Sequence, residues 1–231
     1  MIARLPTTCV KRAVALWLGV FISAASLAGQ PTGILPSEEA VLSNFCQGAQ
    51  TMRGATEESI ARGKSMYGEV FWHIHHYCYA QIWMLRAERY PLGSWERRNN
   101  LAEALDDLDY VLDRMPEKHF LRPEILTRKG KVLRMQGRTQ AAITVLKSAI
   151  ELNPSYWRAF LELANCHEAL NQRSETIAAL RAGLKHSPEA KGLSKFLADL
   201  ESSERGRVSG ASSASVVGNG ESRTAKQPAV R

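Results

Sequence analysis

Between Pro123 and Ala190, apolar and small side chains return every three or four positions, which places them on one face of a helix. Leu126, Gly130 and Leu133 make one stripe, and Ala142, Ile143, Leu146, Ala149 and Ile150 make the next. Gly137 and Thr139 stand between them as a stop and a start, and Asn153 with Pro154 ends the second run. Each pair of stripes predicts a helical hairpin, closely packed where Gly130 carries no side chain. The pattern recurs after 34 residues, pairing Gly130 with Ala164, Ile143 with Ile177, Leu146 with Leu180, Ala149 with Gly183 and Pro154 with Pro188.

A degenerate earlier copy is visible in its second helix. Ala104, Leu105, Leu108, Val111, Leu112 and Pro116 stand 38 residues ahead of Ala142, Ile143, Leu146, Ala149, Ile150 and Pro154. Its first helix is predicted over Lys64 to Arg89, with Ala80 as the small packing residue and Trp83 as the large one. About twelve extra residues then separate the two helices, read as a loop around Tyr90, Pro91, Leu92, Gly93 and Ser94. Leu193, Phe196, Leu197 and Leu200 predict a closing helix with a polar outer face.

A 34-residue period with a small residue in the first helix, an apolar second helix and a closing Pro is the pattern of the tetratricopeptide repeat. The chain resembles that family, with departures at Lys129, His167 and Thr176. The resemblance implies an all-α fold, a right-handed α-solenoid of about three helical hairpins plus a C-terminal capping helix. The repeats fall at about 63–122, 123–156 and 157–190, and the cap at 190–203.

The ends differ in kind from this middle. Arg4, Lys11 and Arg12 precede an apolar run from Ala13 to Leu27, and Ser26, Leu27 and Ala28 form a small-residue cleavage signal. Residues 1–29 therefore read as a secretory signal peptide, and a periplasmic or secreted product is expected. The alternative is an inner-membrane anchor left uncleaved, for which an apolar run of roughly fifteen residues is short. Residues 204–231 carry no large apolar side chain and are expected to be a disordered, mildly basic tail. The whole chain has 30 Lys and Arg against 23 Asp and Glu, a net charge of +7. Removing the leader and its three bases leaves about +4, with no basic cluster and no nucleic-acid motif, so nucleic-acid partners are not expected.

Loss of the leader also removes Cys9, leaving Cys46, Cys78 and Cys166. In an oxidising compartment a bridge between Cys46 and Cys78 would staple residues 30–62, read as a partly helical segment, onto the repeats. Three free thiols are the alternative. Cys166 aligns with Val132 and reads as a core thiol. The run Trp72-His73-Ile74-His75-His76-Tyr77-Cys78-Tyr79 concentrates ligand-capable side chains, with His75 and Cys78 on one helical face and His73 and His76 on another. A Cys near residue 46, this His-His-Tyr-Cys helix and Asp109-Tyr110-Val111-Leu112 together also resemble a group of exported bacterial repeat proteins of no assigned activity, over about residues 45–200.

Chemistry is hard to place on this sequence. Ser43 and Ser65 lack a nucleophile-elbow context, no glycine-rich phosphate loop occurs, and Asp106, Asp107 and Asp109 read as a solvated helix face. The expectation is an exported scaffold without catalysis or cofactor, binding a protein or peptide of the envelope, with no stable membrane insertion after cleavage. Stacked hairpins present a concave surface lined by first helices. The family's usual groove positions fall on Thr127, Lys131 and Arg134, then on Arg158, Leu161, Asn165 and Glu168, with Tyr77 and Gln81 by analogy in the first hairpin. Lys131, Arg134, Arg158 and Asn165 are donors suited to a partner carboxylate. A competing reading is a metal- or small-ligand-binding protein that uses His73, His75, His76 and Cys78.

Overall fold

A computed structural model describes residues 30–216, apart from 44, 45, 47, 48, 50 and 53. The predicted leader and residues 217–231 lie outside the described residues. Among the described residues there is helix and turn and no strand. Helices α1 (Pro36–Glu39) and α2 (Glu57–Tyr67) precede the array. Three hairpins follow: α3 (Ile74–Glu88) with α4 (Trp95–Arg114), α5 (Arg122–Met135) with α6 (Thr139–Leu152), and α7 (Trp157–Ala169) with α8 (Arg173–His186). They stack in chain order as an all-α solenoid, and α9 (Lys191–Val216) closes it against α8.

The second and third hairpins are the same object built twice. Helix α5 ends where Gly137 turns to φ 78°, and α7 ends where Asn171 turns to φ 56°. At both ends the same two bonds close the last turn. Gly137 N–H donates to Arg134 O and Arg138 N–H to Leu133 O, while Asn171 N–H donates to Glu168 O and Gln172 N–H to His167 O, all at 2.9 Å. This is the Schellman closure, which needs a left-handed residue at its centre. Close approach of α5 and α6 depends on Gly130, since a Cβ there would stand 2.6 Å from Leu146 Cγ. Ala164 fills the matching place in α7 and is fully buried.

The first hairpin departs from expectation in two places. Its first helix does not run unbroken from Lys64 to Arg89. Helix α2 stops at Tyr67, Gly68 takes φ 59° and ψ −145°, and a 3-10 segment (Gly68–His73) leads into α3. That backbone conformation is open to glycine and closed to residues with a Cβ, so helix periodicity alone could not show the break. The extra residues are also mostly helical rather than a loop. Helix α4 has 20 residues against 14 in α6, and the connection Arg89–Ser94 is short. Ser94 caps α4 by accepting from Arg97 N–H at 3.2 Å, which fixes its early start.

Helix α9 also runs beyond expectation, to Val216 instead of stopping at 203 with a disordered tail after it. Residues 204–216 lack large apolar side chains, yet a helix satisfies its backbone bonds within itself and does not require them to continue.

Buried side chains fall into two clusters. The first runs from Leu42 to Val132 and holds Ile74, Tyr77, Ile82, Leu101, Leu108, Val111 and Ile125. The second runs from Leu133 to Leu200 around Leu146, Leu163 and Leu180. Half-buried Leu105 touches both. Polar contacts also cross the stack, with Lys129 Nζ 2.5 Å from Asp109 Oδ1 and Arg134 Nη2 3.0 Å from Glu162 Oε2. Cys166 is buried in the second cluster, and burial pushes its thiol up to about 11. It is an inert core side chain at neutral pH.

Candidate functional site

First helices α5 and α7 lie side by side, α3 reaches α5 through Tyr77–Glu124 and Glu88–Lys131, and a groove runs between them. Between α5 and α7 its open part has a volume of about 200 Å³. One wall carries Thr127, Arg128 and Lys131, and the other carries Arg158, Leu161 and Glu162, with Tyr156 and Trp157 at the start of α7. A second, smaller recess toward α3 shares Arg128 and Lys131 with the first.

Over α3 the groove is already filled by the chain itself. Cys46 and Cys78 form a disulfide with their Cα atoms 5.7 Å apart, which pins the N-terminal segment onto the first hairpin. Ser43 donates from N–H and Oγ to Gln81 Oε1 at 3.3 and 3.0 Å. Farther back, Glu38 is buried and accepts from Arg86 Nε and Nη2 at 3.1 and 3.0 Å, with Arg89 also 3.0 Å away. The bond from Arg86 holds the Glu38 carboxyl down at about 2. Tyr77 and Gln81 thus occupy the predicted face but are buried, and neither is available to a partner. That Ser43 and Cys46 lie against this face is a long-range fact the spacing does not contain.

The other predicted residues separate into several cases. Thr127 is buried, and its hydroxyl donates to Pro123 O at 2.7 Å within its own helix. Lys131 pairs with Glu88 at 3.0 Å, and Arg134 pairs with Glu162 across to α7. Arg158 is exposed, with its guanidinium 4.6 Å from the Trp157 ring. Leu161 lines the groove, whereas Asn165 and Glu168 lie farther along α7, outside the open part. Arg128 is the functional candidate that the sequence reading passes over. Its signal is the alignment with Glu162 one repeat later. Burial acts to lower the Arg128 guanidinium, but Tyr77, Tyr156 and Glu124 beside it more than offset this and it stays charged. Tyr77 donates to Glu124 Oε1 at 2.7 Å, and burial pushes the Tyr156 hydroxyl up to about 12. The groove therefore brings Arg128, Lys131 and Arg158 together with Tyr156, Trp157 and Leu161, alongside the Glu162 carboxylate.

The histidine helix is assembled differently from the metal reading. Cys78 Sγ is committed to the disulfide, so the proposed donor set of His73, His75, His76 and Cys78 does not come together. His76 Nδ1 lies 2.6 Å from Asp107 Oδ1, and its ring lies 3.9 Å from that of Tyr110. Burial lowers His75 to about 4 and also lowers His73. No group of three His, Cys, Asp or Glu side chains among the described residues is placed to hold a metal ion. Of the acidic run, Asp106 is exposed as expected, but Asp107 is not on a solvated face. Asp107 is fully buried beside His76, with its carboxyl raised by that burial, and Asp109 pairs with Lys129.

Comparison with known proteins bears on the repeat array. Residues 133–200 match the tetratricopeptide repeat. That stretch belongs to the tetratricopeptide repeat family. The matched stretch has the same limits as the second buried cluster, so sequence likeness and packing mark off one region. A comparison with curated proteins gives no match. Among solved structures, the chain is similar to a tetratricopeptide repeat protein of Thermus thermophilus, at 16% identity and TM-score 0.49, covering 62% of this chain and 72% of that one. It is similar to the first such domain of human RPAP3 at 17% identity and TM-score 0.41, over 56% and 95% of the two chains. A third is a domain of yeast Sti1 in complex with pHsp70, at 16% identity and TM-score 0.40, over 54% and 97%. At such scores the likeness says nothing about what this groove holds.

Proposed function

We propose that the protein is a non-catalytic scaffold of the bacterial envelope that captures an extended segment of a partner protein between α5 and α7. The open groove carries this reading, because consecutive first helices place Arg128, Lys131 and Arg158 around Tyr156, Trp157 and Leu161. The segment over Tyr77 and Gln81 closes one end, so the site spans two hairpins rather than three. Export is supported by the basic-apolar-small pattern of residues 1–29 and by a disulfide, a bond that persists in oxidising compartments.

The test places a photo-crosslinking residue at Leu161, or at Lys147 on the exposed face of α6, and maps adducts in the native envelope. A partner adduct is expected at 161 and not at 147. Lys131→Glu with Arg158→Glu removes it while helix content stays unchanged. An adduct at 161 that survives both charge reversals removes the groove assignment.

A further inference from the structure

The turn between α3 and α4 carries an exposed patch that the groove does not use. Leu92 is 85% exposed, Trp95 67% and Tyr90 41%, which is unusual for three large apolar side chains within six residues. Behind this tip lies an open recess of about 400 Å³ whose rim carries Arg97, Arg98 and Arg138, and no carboxylate lines it. Among the described residues those three guanidiniums donate only to uncharged oxygens: Arg97 to Ala87 O at 2.9 Å, Arg98 to Gly93 O, and Arg138 to Gln136 Oε1 at 3.5 Å. Their charge is not cancelled by any ion pair among the described residues. Glu96 is the one carboxylate from Arg89 to Arg98, and Arg89 is occupied by Glu38.

We propose that this edge of the array docks on the surface of an anionic lipid bilayer. Leu92 and Trp95 enter the interfacial layer, and Arg97, Arg98 and Arg138 lie against headgroup phosphates. The arrangement favours lipid over an acidic peptide because Leu92 and Trp95 stand out from the surface, as a fluid interface requires, while Arg97, Arg98 and Arg138 line the recess beside Leu92. Trp and Tyr settle at the headgroup level, where an amphipathic ring meets both phases. Each arginine near an anionic surface is worth roughly a fivefold change in affinity. No helix among the described residues is long and apolar enough to cross a membrane, and the contact proposed for this edge is a peripheral one. It does not depend on the groove.

The experiment uses the full chain with vesicles of phosphatidylcholine and phosphatidylglycerol in equal parts, their acyl chains brominated to quench tryptophan. Trp95→Phe keeps the apolar surface and removes one reporter, while the apolar run 13–27 and Trp17 act alike in both chains. The expected result is a quenched component of emission in the native chain that Trp95→Phe lacks, and that vanishes on pure brominated phosphatidylcholine. Replacing Arg97, Arg98 and Arg138 by Ala is expected to weaken that component about a hundredfold in lipid concentration. Equal quenching of the native chain and Trp95→Phe overturns the proposal, as does equal quenching on the uncharged vesicles. It is overturned too if Leu92→Ser with Trp95→Ser abolishes self-association of the protein and leaves vesicle contact unchanged, since the patch would then join two copies of the chain.

Discussion

The α3–α4 hairpin and the α7–α8 hairpin follow one plan, yet different interactions hold each in place. In α7–α8 the fixing features are a closed turn at Asn171, a small residue at Ala164, and a core of Leu163, Leu180 and Phe160, with Arg134–Glu162 as a part-buried ion pair to α5. In α3–α4 the fixing contacts come from far along the chain. Glu38 reaches Arg86, Cys46 reaches Cys78, His76 reaches Asp107 and Tyr77 reaches Glu124. A regular repeat is specified by spacing and stabilised by its neighbours. An end repeat lacks a neighbour on one side, and here the upstream chain covers part of it with buried polar and covalent links. Those links respond to redox state and acidity, which leaves an aliphatic core unmoved.

Breaking the covalent link gives the largest separation. Replacing Cys46 and Cys78 by Ser frees a cross-link spanning 32 positions, a loss of about 3.5 kcal/mol on chain entropy. Hydrogen exchange is expected to rise across residues 30–56 and α3, with α7 and α8 still protected. Equal loss of protection in α8 would mean that the two halves open as one unit. The reverse experiment is Leu180→Ala, which empties a fully buried site and costs about 3 kcal/mol. Its exchange signature is expected in α7 to α9, sparing the disulfide-bearing hairpin.

Acid sharpens the same contrast with a smaller effect. Glu38 is depressed from 4.5 to about 2, so the stability it contributes is complete above the ordinary carboxylate range and is lost as pH falls from about 4.5 toward 2. His75 is depressed from 6.5 to about 4 by burial, so folding favours its neutral form. That contribution is complete above about 6.5 and is lost as pH falls toward 4. Both shifts act in one direction and both sit in the N-terminal half. Limited proteolysis is expected to cut residues 30–56 on acidification before it touches the second and third hairpins. Glu38→Gln is expected to cost about 2 kcal/mol at neutral pH and to remove the lower part of this pH dependence.

Legibility in the sequence follows the same division. The period, the second and third hairpins and their packing residues are all readable, because each depends on contacts a few residues or one repeat away. The Cys46–Cys78 pairing is accessible as one of two alternatives. Hidden from the sequence are the break at Gly68, the conversion of an apparent loop into extra turns of α4, the burial of Asp107, and the segment lying over Gln81. Gly68 shows how little local signal there is: a glycine in a helical pattern reads as tolerated until its positive φ is seen. The covering of Gln81 depends on a contact 38 positions away, which no periodicity encodes.

The smallest expected effect compares the two closed turns directly. Gly137 and Asn171 occupy equivalent places, each with a left-handed backbone and the same two bonds at 2.9 Å. Left-handed backbone costs a residue with a Cβ more than it costs glycine, and asparagine is among the residues that bear it best. Glycine loses more entropy on folding, so most of the difference cancels. Asn171→Gly is therefore expected to stabilise the third hairpin by about 0.5 kcal/mol, and Gly137→Asn to destabilise the second by a similar amount. The double exchange should leave thermal stability close to that of the native chain, since the sites are one repeat apart and share no hydrogen bond. If Asn171→Gly instead lowers stability, the Asn171 side chain holds the turn by a contact that Gly137 has no means to make, and the two hairpins are not equivalent even where their backbones coincide.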